Sequence, residues 1–333
     1  MFLPRARSRR RTYALALIAV TLTSLAACTR GASPPADPEV RPPTGWPSTL
    51  PADRGVGPIA LGYVAGGVSY VVLDRGDQYL VPGDLRQGGQ ASLSPDGRWL
   101  LHGGTLYDAE TGATTTVALA AAPQSWSPNG RWLLTACSSD GTGSRQQLLD
   151  TEAGSTLDVP ELPSEDEGSC GMVAVLDDGN VVAAVLPEAS GPVREATLRV
   201  VNPRTNDLVR EIEVDLASIL QGEESIAGWH GLHGMLVGPR GELFLRVHGD
   251  ATASAIGVVI SAEDGSPQRR VDGPDDRGWV PVAFDDQGIV IVHGDDGDGA
   301  RVSVLTPDGA VQPRHQLPPG ARLMLVPGGV VTV

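Results

Sequence analysis

One octet occurs twice in the chain, and no other feature limits the fold as tightly. Ser94-Pro95-Asp96-Gly97-Arg98-Trp99-Leu100-Leu101 returns 33 residues later as Ser127-Pro128-Asn129-Gly130-Arg131-Trp132-Leu133-Leu134. Each copy joins a tight turn to an apolar run. Pro presets φ, Asp or Asn bonds back to the local backbone, and Gly takes a positive φ. Trp-Leu-Leu then reads as a buried strand. Repetition of this kind marks an architecture of similar units that bury their faces on one another.

Three further turn glycines, Gly179, Gly241 and Gly288, lead weaker copies, with spacings of 33, 49, 62 and 47 residues from Gly97 onward. Each glycine is preceded by a short apolar segment, such as Met172–Leu176 or Val280–Phe284, and followed by three more strand-like runs. Every unit therefore reads as four short strands, A to D, joined by turns. With 42 Gly, 27 Pro and only 4% aromatic residues, turn chemistry dominates and a helical protein is excluded. Four-stranded antiparallel units of this length predict an all-β chain, a β-propeller. The S-P-[DN]-G-R-W-L-L turns, followed by strands ending in Tyr107-Asp108 or Leu148-Leu149-Asp150 and then Thr111-Gly112 or Glu152-Ala153-Gly154, resemble TolB-like and WD-repeat-like propellers. The resemblance covers about residues 59–333 and includes no TolB-type amino-terminal domain.

Ring closure is also readable. Ile59–Val64, Val68–Leu73 and Gln78–Val81 align with strands B, C and D but lack a strand A, and Ala321–Val326 supplies one. A composite blade from both ends gives six blades and removes open edges; seven is the alternative, if Val330–Val333 starts its own. Asp215–Gln221 reads as one short helix before a loop reaching Gly234.

Ahead of this body, Arg5, Arg7, Arg9, Arg10 and Arg11 precede an apolar stretch from Tyr13 to about Leu22. This is a charged n-region and an h-region, shorter than the roughly 20 apolar residues of a spanning helix. Leu25-Ala26-Ala27-Cys28 follows and resembles the lipobox of bacterial lipoproteins. The resemblance implies cleavage before Cys28 and lipid attachment to it, with two or more acyl chains giving stable anchoring. Arg10-Arg11-Thr12-Tyr13 also resembles a twin-arginine signal. Residues 29–56 carry seven prolines among small and charged residues and read as a disordered tether. The expected organisation is a signal peptide over 1–27, a tether over 28–56 and a propeller over 57–333.

Every basic residue other than His is Arg. From Cys28 onward, 20 Arg face all 40 acids, a balance of −20. Such a body is expected not to bind nucleic acid or an anionic membrane directly; its membrane contact runs through the lipid.

Chemistry-bearing residues gather at matched positions. Cys137 falls at the end of a B strand and Cys170 before the next A strand, so both belong on one face of neighbouring blades. In an exported protein they are expected to pair if their Cα atoms lie about 4.4–6.8 Å apart. His102, His248 and His293 all fall at B-strand ends, with Asp250 and Asp295 alongside and His230 and His233 in the loop before strand A of the His248 unit. His230, His233 and His248 form the candidate metal site. His102, His293, Asp250, Asp295, Trp229 and Trp279 form the candidate ligand face. Asp295, Asp296 and Asp298 lack the register of a calcium loop and read as a polar turn. Arg269-Arg270 reads as a solvated strand end. No nucleophile elbow, phosphate loop or dinucleotide fingerprint is present, so no cofactor is expected beyond a metal at the His cluster. The expected function is that of a monomeric, lipid-anchored extracytoplasmic propeller that binds a protein or other ligand. The alternatives are a metal-dependent hydrolase or lyase and a solute-binding or sensory lipoprotein.

Overall fold

The computed structural model describes residues 47–86, 91–136, 146–159, 172–187, 191–226, 235–248, 255–274, 279–293 and 299–330. Every regular element among them is a β-strand. The turn-bounded apolar runs become six four-stranded antiparallel blades arranged in a ring, a six-bladed β-propeller. In the first blade, strands A to D are Ser92–Leu93, Trp99–His102, Thr105–Asp108 and Thr114–Thr116. The second has Pro123–Trp126, Trp132–Thr135, Gln146–Asp150 and Ser155–Val159, and the third Met172–Val175, Val181–Val185, Glu195–Asn202 and Asp207–Asp215. The fourth has Met235–Val237, Glu242–His248, Ala255–Ser261 and Pro267–Asp272, and the fifth Trp279–Phe284, Ile289–His293, Arg301–Leu305 and Val311–Gln316.

The sixth blade is composite, as its missing strand predicts. Arg322–Val326 pairs antiparallel with Ile59–Ala65, Gly62 facing Leu325, and Val68–Leu73 and Gln78–Leu80 complete the blade. Gly62 is required there, because a Cβ would stand 2.8 Å from the Leu325 side chain. Six blades replace the alternative of seven: Gly329–Val330 does not open a new blade but pairs with the inner edge of Arg322–Val326.

B strands alternate their side chains between two neighbours. Leu243, Leu245 and Val247 enter a core shared with the third blade, while Phe244 enters one shared with Ile289, Ile291 and Leu305 of the fifth. Covering both faces explains why B strands read as near-continuous apolar runs rather than alternations. Each such side chain contributes about 1.5–3 kcal/mol on full burial.

Three local expectations are corrected. The segment Asp215–Gln221 is no helix: Leu220 N–H reaches Leu216 C=O (2.9 Å) for one turn only, because Leu216 and Leu220 are drawn into the core instead. The packed body starts at Pro47, ahead of the tether end read from proline content. Ser48–Thr49 runs parallel to Tyr79–Leu80, and Leu50 and Val56 are buried with Leu73, Val81 and Leu85. Arg270 is not a solvated strand end; it grips the buried Glu224 through both carboxylate oxygens, at 2.5 and 2.7 Å.

Candidate functional site

The octets prove to be structural. In each, the Ser hydroxyl accepts the Trp N–H (2.8 Å from Trp99, 2.9 Å from Trp132) and donates to the next acidic or amide side chain. The following Arg lies over its own Trp, 4.8 Å from the ring in both copies. That Arg then pairs with the Asp that ends strand C, Asp108 at 3.0 Å and Asp150 at 3.1 Å. Each Asp also caps its C–D turn by accepting an N–H from two residues on. The recurrent Tyr-Asp and Leu-Leu-Asp endings are thus anchors for the turn Arg. Asn202 and Ser261 do the same capping in two weaker copies, while in the fifth blade the Thr306 hydroxyl donates to the Asp308 carboxylate instead. Burial raises the Asp108 pKa, but bonds from Arg98, Glu110 N–H and the Thr111 hydroxyl outweigh it and leave the carboxyl below its ordinary value.

These A–B turns line one face, each leaning on the blade before it. Gly97 C=O accepts Ile59 N–H (2.9 Å), a Cβ at Gly130 would lie 3.0 Å from Asp96, and one at Gly179 would lie 3.0 Å from the Trp132 ring. The composite blade has no A–B turn, since its strands A and B come from opposite ends of the chain. In that place lies a cavity of about 420 Å³, bounded by Ile59, Val326, Asp96, Asp285, Arg314 and His315. Arg314 is bonded to Asp285 (2.6 Å) and Gln287 (3.0 Å). Burial, and then the Arg314 charge, push the His315 pKa down, while Asp74 opposes them.

The axis is narrow. Gly328 N–H donates to Leu93 C=O (2.9 Å), and Gly329–Val330 lies among the A strands of the first, second and fifth blades. A Cβ at Gly329 would stand 2.7 Å from Val282 C=O, so glycine is what lets the segment in. Beside it remains about 20 Å³, bounded by Ser125, Trp126, Leu236 and Phe284. That is room for about one water molecule.

The opposite face carries the B-strand ends, and His102, His248 and His293 do end their strands on three different blades. His248 is exposed, opposite Ser225 of a short Ser225–Ile226 strand that extends the A position of the fourth blade. His293 is buried edge-on against Trp279, with 5.0 Å between ring centroids. His102 is half-buried against Pro82 and Gly83 of the composite blade, and its buried Nδ1 has no partner among the described residues. Its burial lowers its pKa; the Pro82 carbonyl and Asp84 oppose this. Asp84 itself is held at about 2, chiefly by the Arg86 side chain. Cys28, Cys137, Cys170, Trp229, His230, His233, Asp250 and Asp295 lie outside the described residues. Among the described residues no three His, Cys or carboxylate side chains gather as metal ligands. Reasoning from the chain alone missed the closure cavity, which arises where a peptide link is absent.

No protein-family model matches the chain, and no curated protein matches its sequence. Among solved structures it is similar to TolB from Acinetobacter baumannii, at 13% identity over 81% of this chain and 67% of that one, with a TM-score of 0.47. It is similar to the uncharacterized protein lmo1340 from Listeria monocytogenes, at 12% identity over 82% and 85% of the chains and a TM-score of 0.44. Porphyromonas gingivalis dipeptidyl peptidase 4 follows at 10% identity and a TM-score of 0.34, covering 80% of this chain but 45% of the peptidase. These are likenesses of fold, and no activity is carried across from them.

Proposed function

We propose that this is an extracytoplasmic lipoprotein, acylated at Cys28 and tethered through the Pro-rich segment, whose propeller is a binding or scaffold module for a protein or other ligand. The observation that carries the reading is the division of labour between the faces. The octet turns spend their polar groups on contacts within the ring, and Gly328 and Gly329 pack closely against the inner strands. The opposite face instead presents the exposed His248, at the end of strand B of the fourth blade. A rigid scaffold carrying recognition groups at loop and strand ends is the usual way such folds bind.

Two measurements test it. Metabolic labelling with palmitate should mark the protein and fractionate it with membranes, and Cys28→Ser should abolish both; unchanged membrane retention in that variant refutes the anchor. A photo-crosslinking residue at His248 should give a discrete adduct on intact cells, whereas one at the exposed outer-strand residue Leu208 should not. Equal labelling from both positions, or none from either, refutes the binding face.

A further inference from the structure

The ring closes one turn short. Each of the five other blades has an A–B turn, and in the composite blade its place is the cavity of about 420 Å³ beside the Asp285–Gln287 turn. That volume falls in the range of small-molecule sites, roughly 300–1,000 Å³. Its inner wall is apolar: Val290, Val302 and Val326 bound it, and all three are buried.

Two β-bulges shape the sides. On the composite blade Leu73 faces Ile59 and Val72 faces Leu61, so Ala60 is an extra residue, and Ile59 and Ala60 both reach the cavity. On the outer strand of the fifth blade His315 faces Val302 and Pro313 faces Ser303, so Arg314 is extra. A regular strand sends consecutive side chains to opposite faces, and an extra residue breaks that alternation. Arg314 and His315, adjacent in sequence, therefore line the same cavity.

The polar groups suit a positive occupant. Asp74, Asp96 and Asp286, from the composite, first and fifth blades, meet here. Asp285 is matched by Arg314, which also donates to Gln287. Among the described residues Asp74, Asp96 and Asp286 have no ion-pair partner. Asp96 uses Oδ1 within its own turn, which leaves Oδ2. His315 bonds no described residue, and burial favours its uncharged form. A neutral imidazole keeps one nitrogen as an acceptor. Unpaired carboxylates and an acceptor above an apolar wall match a charged N–H donor on an aliphatic stem.

We infer that the closure cavity binds a small organic cation, an ammonium or guanidinium on a short aliphatic chain. Asp74, Asp96 and Asp286 hold the charged head, His315 accepts one of its N–H bonds, and the stem lies on Val290, Val302 and Val326. The site is on the face opposite the proposed binding face and goes beyond that reading. It needs neither the anchor nor a protein partner, so each can fail without the other.

n-Butylammonium and n-butylguanidinium chlorides, titrated into the purified protein at constant ionic strength, test it by calorimetry, with n-butanol and butyrate as references. At least one cation should bind saturably and raise the melting temperature, and neither reference should. Asp74→Asn/Asp286→Asn should weaken that binding by about tenfold or more. His315→Phe, which keeps a ring without the acceptor, should weaken it less. Glu195→Gln, which removes a charge from the third blade, should leave it unchanged. Because Asp74 and Asp286 are exposed, the double variant should resist urea at least as well as the parent. The inference is overturned if neither cation binds saturably, or if n-butanol or butyrate binds as tightly. It is also overturned if the double variant binds as the parent does, or if Glu195→Gln weakens binding equally.

Discussion

The two octets differ at one residue, Asp96 against Asn129, and the neighbours explain why. Both side chains accept from the Ser hydroxyl and from the Arg N–H two residues on. Asn129 in addition donates Nδ2–H to Asp177 C=O (3.2 Å), while its backbone N–H is held by the Asp177 carboxylate (2.7 Å). Asn129→Asp removes that donor and sets two carboxylates side by side, so it should cost about 1–2 kcal/mol at pH 7. The loss should shrink as pH falls below about 4. Asp96→Asn keeps the acceptor and should change urea stability by less than about 0.5 kcal/mol. His102 and His315 act at higher pH. Burial lowers both pKa values, so the unfolded chain holds the extra proton more readily. Stability should be full above the unfolded His pKa of about 6.5 and decline as pH falls through it toward the folded values. Urea midpoints at pH 7.5 and 5.5 check this, and a His102→Asn/His315→Asn double variant should flatten the slope. At this scale the octets were legible because turn chemistry is local; the Asp177 contact, 48 residues away in sequence, was not.

Among elements, the segment between the third and fourth blades shows where local reading fails. Leu216–Ile226 is fixed by Glu224, whose side chain is 4% exposed and which binds Arg270 on the outer strand of the fourth blade and accepts Gln221 N–H (2.8 Å). Glu224→Ala leaves Arg270 without its main partner and should destabilise by about 3–5 kcal/mol in chemical denaturation. Glu224→Gln keeps the shape and should lose less. An Arg-Arg pair in an acidic chain looks solvated until the partner 46 residues upstream is seen. By contrast, strands B to D of five blades could be placed from sequence, because each is bounded by its own turn signals. His102, His248 and His293 end strands of three different blades, positions legible from their short distance to a turn glycine.

For the whole molecule, closure depends on one non-local pairing. Leu325 is fully buried where Arg322–Val326 meets Ile59–Ala65, and Leu325→Ala should cost about 2–5 kcal/mol and lower the cooperativity of thermal unfolding. Calorimetry decides: a loss below about 1 kcal/mol would mean that the ring tolerates an unsealed joint. The joint was legible because three strands without a fourth at one end matched a spare strand at the other. The cavity beside it was not, since no residue pattern encodes a missing turn.

The composite blade also sets a timetable. During synthesis, Ile59–Ala65 emerges among the earliest strands, yet its partner is made more than 250 residues later. Until then a growing chain carries an unsatisfied strand edge at its leading end, open to stray pairing with its own later blades or with other chains. Whatever shields that edge while translation is under way governs how much of this protein reaches its finished form.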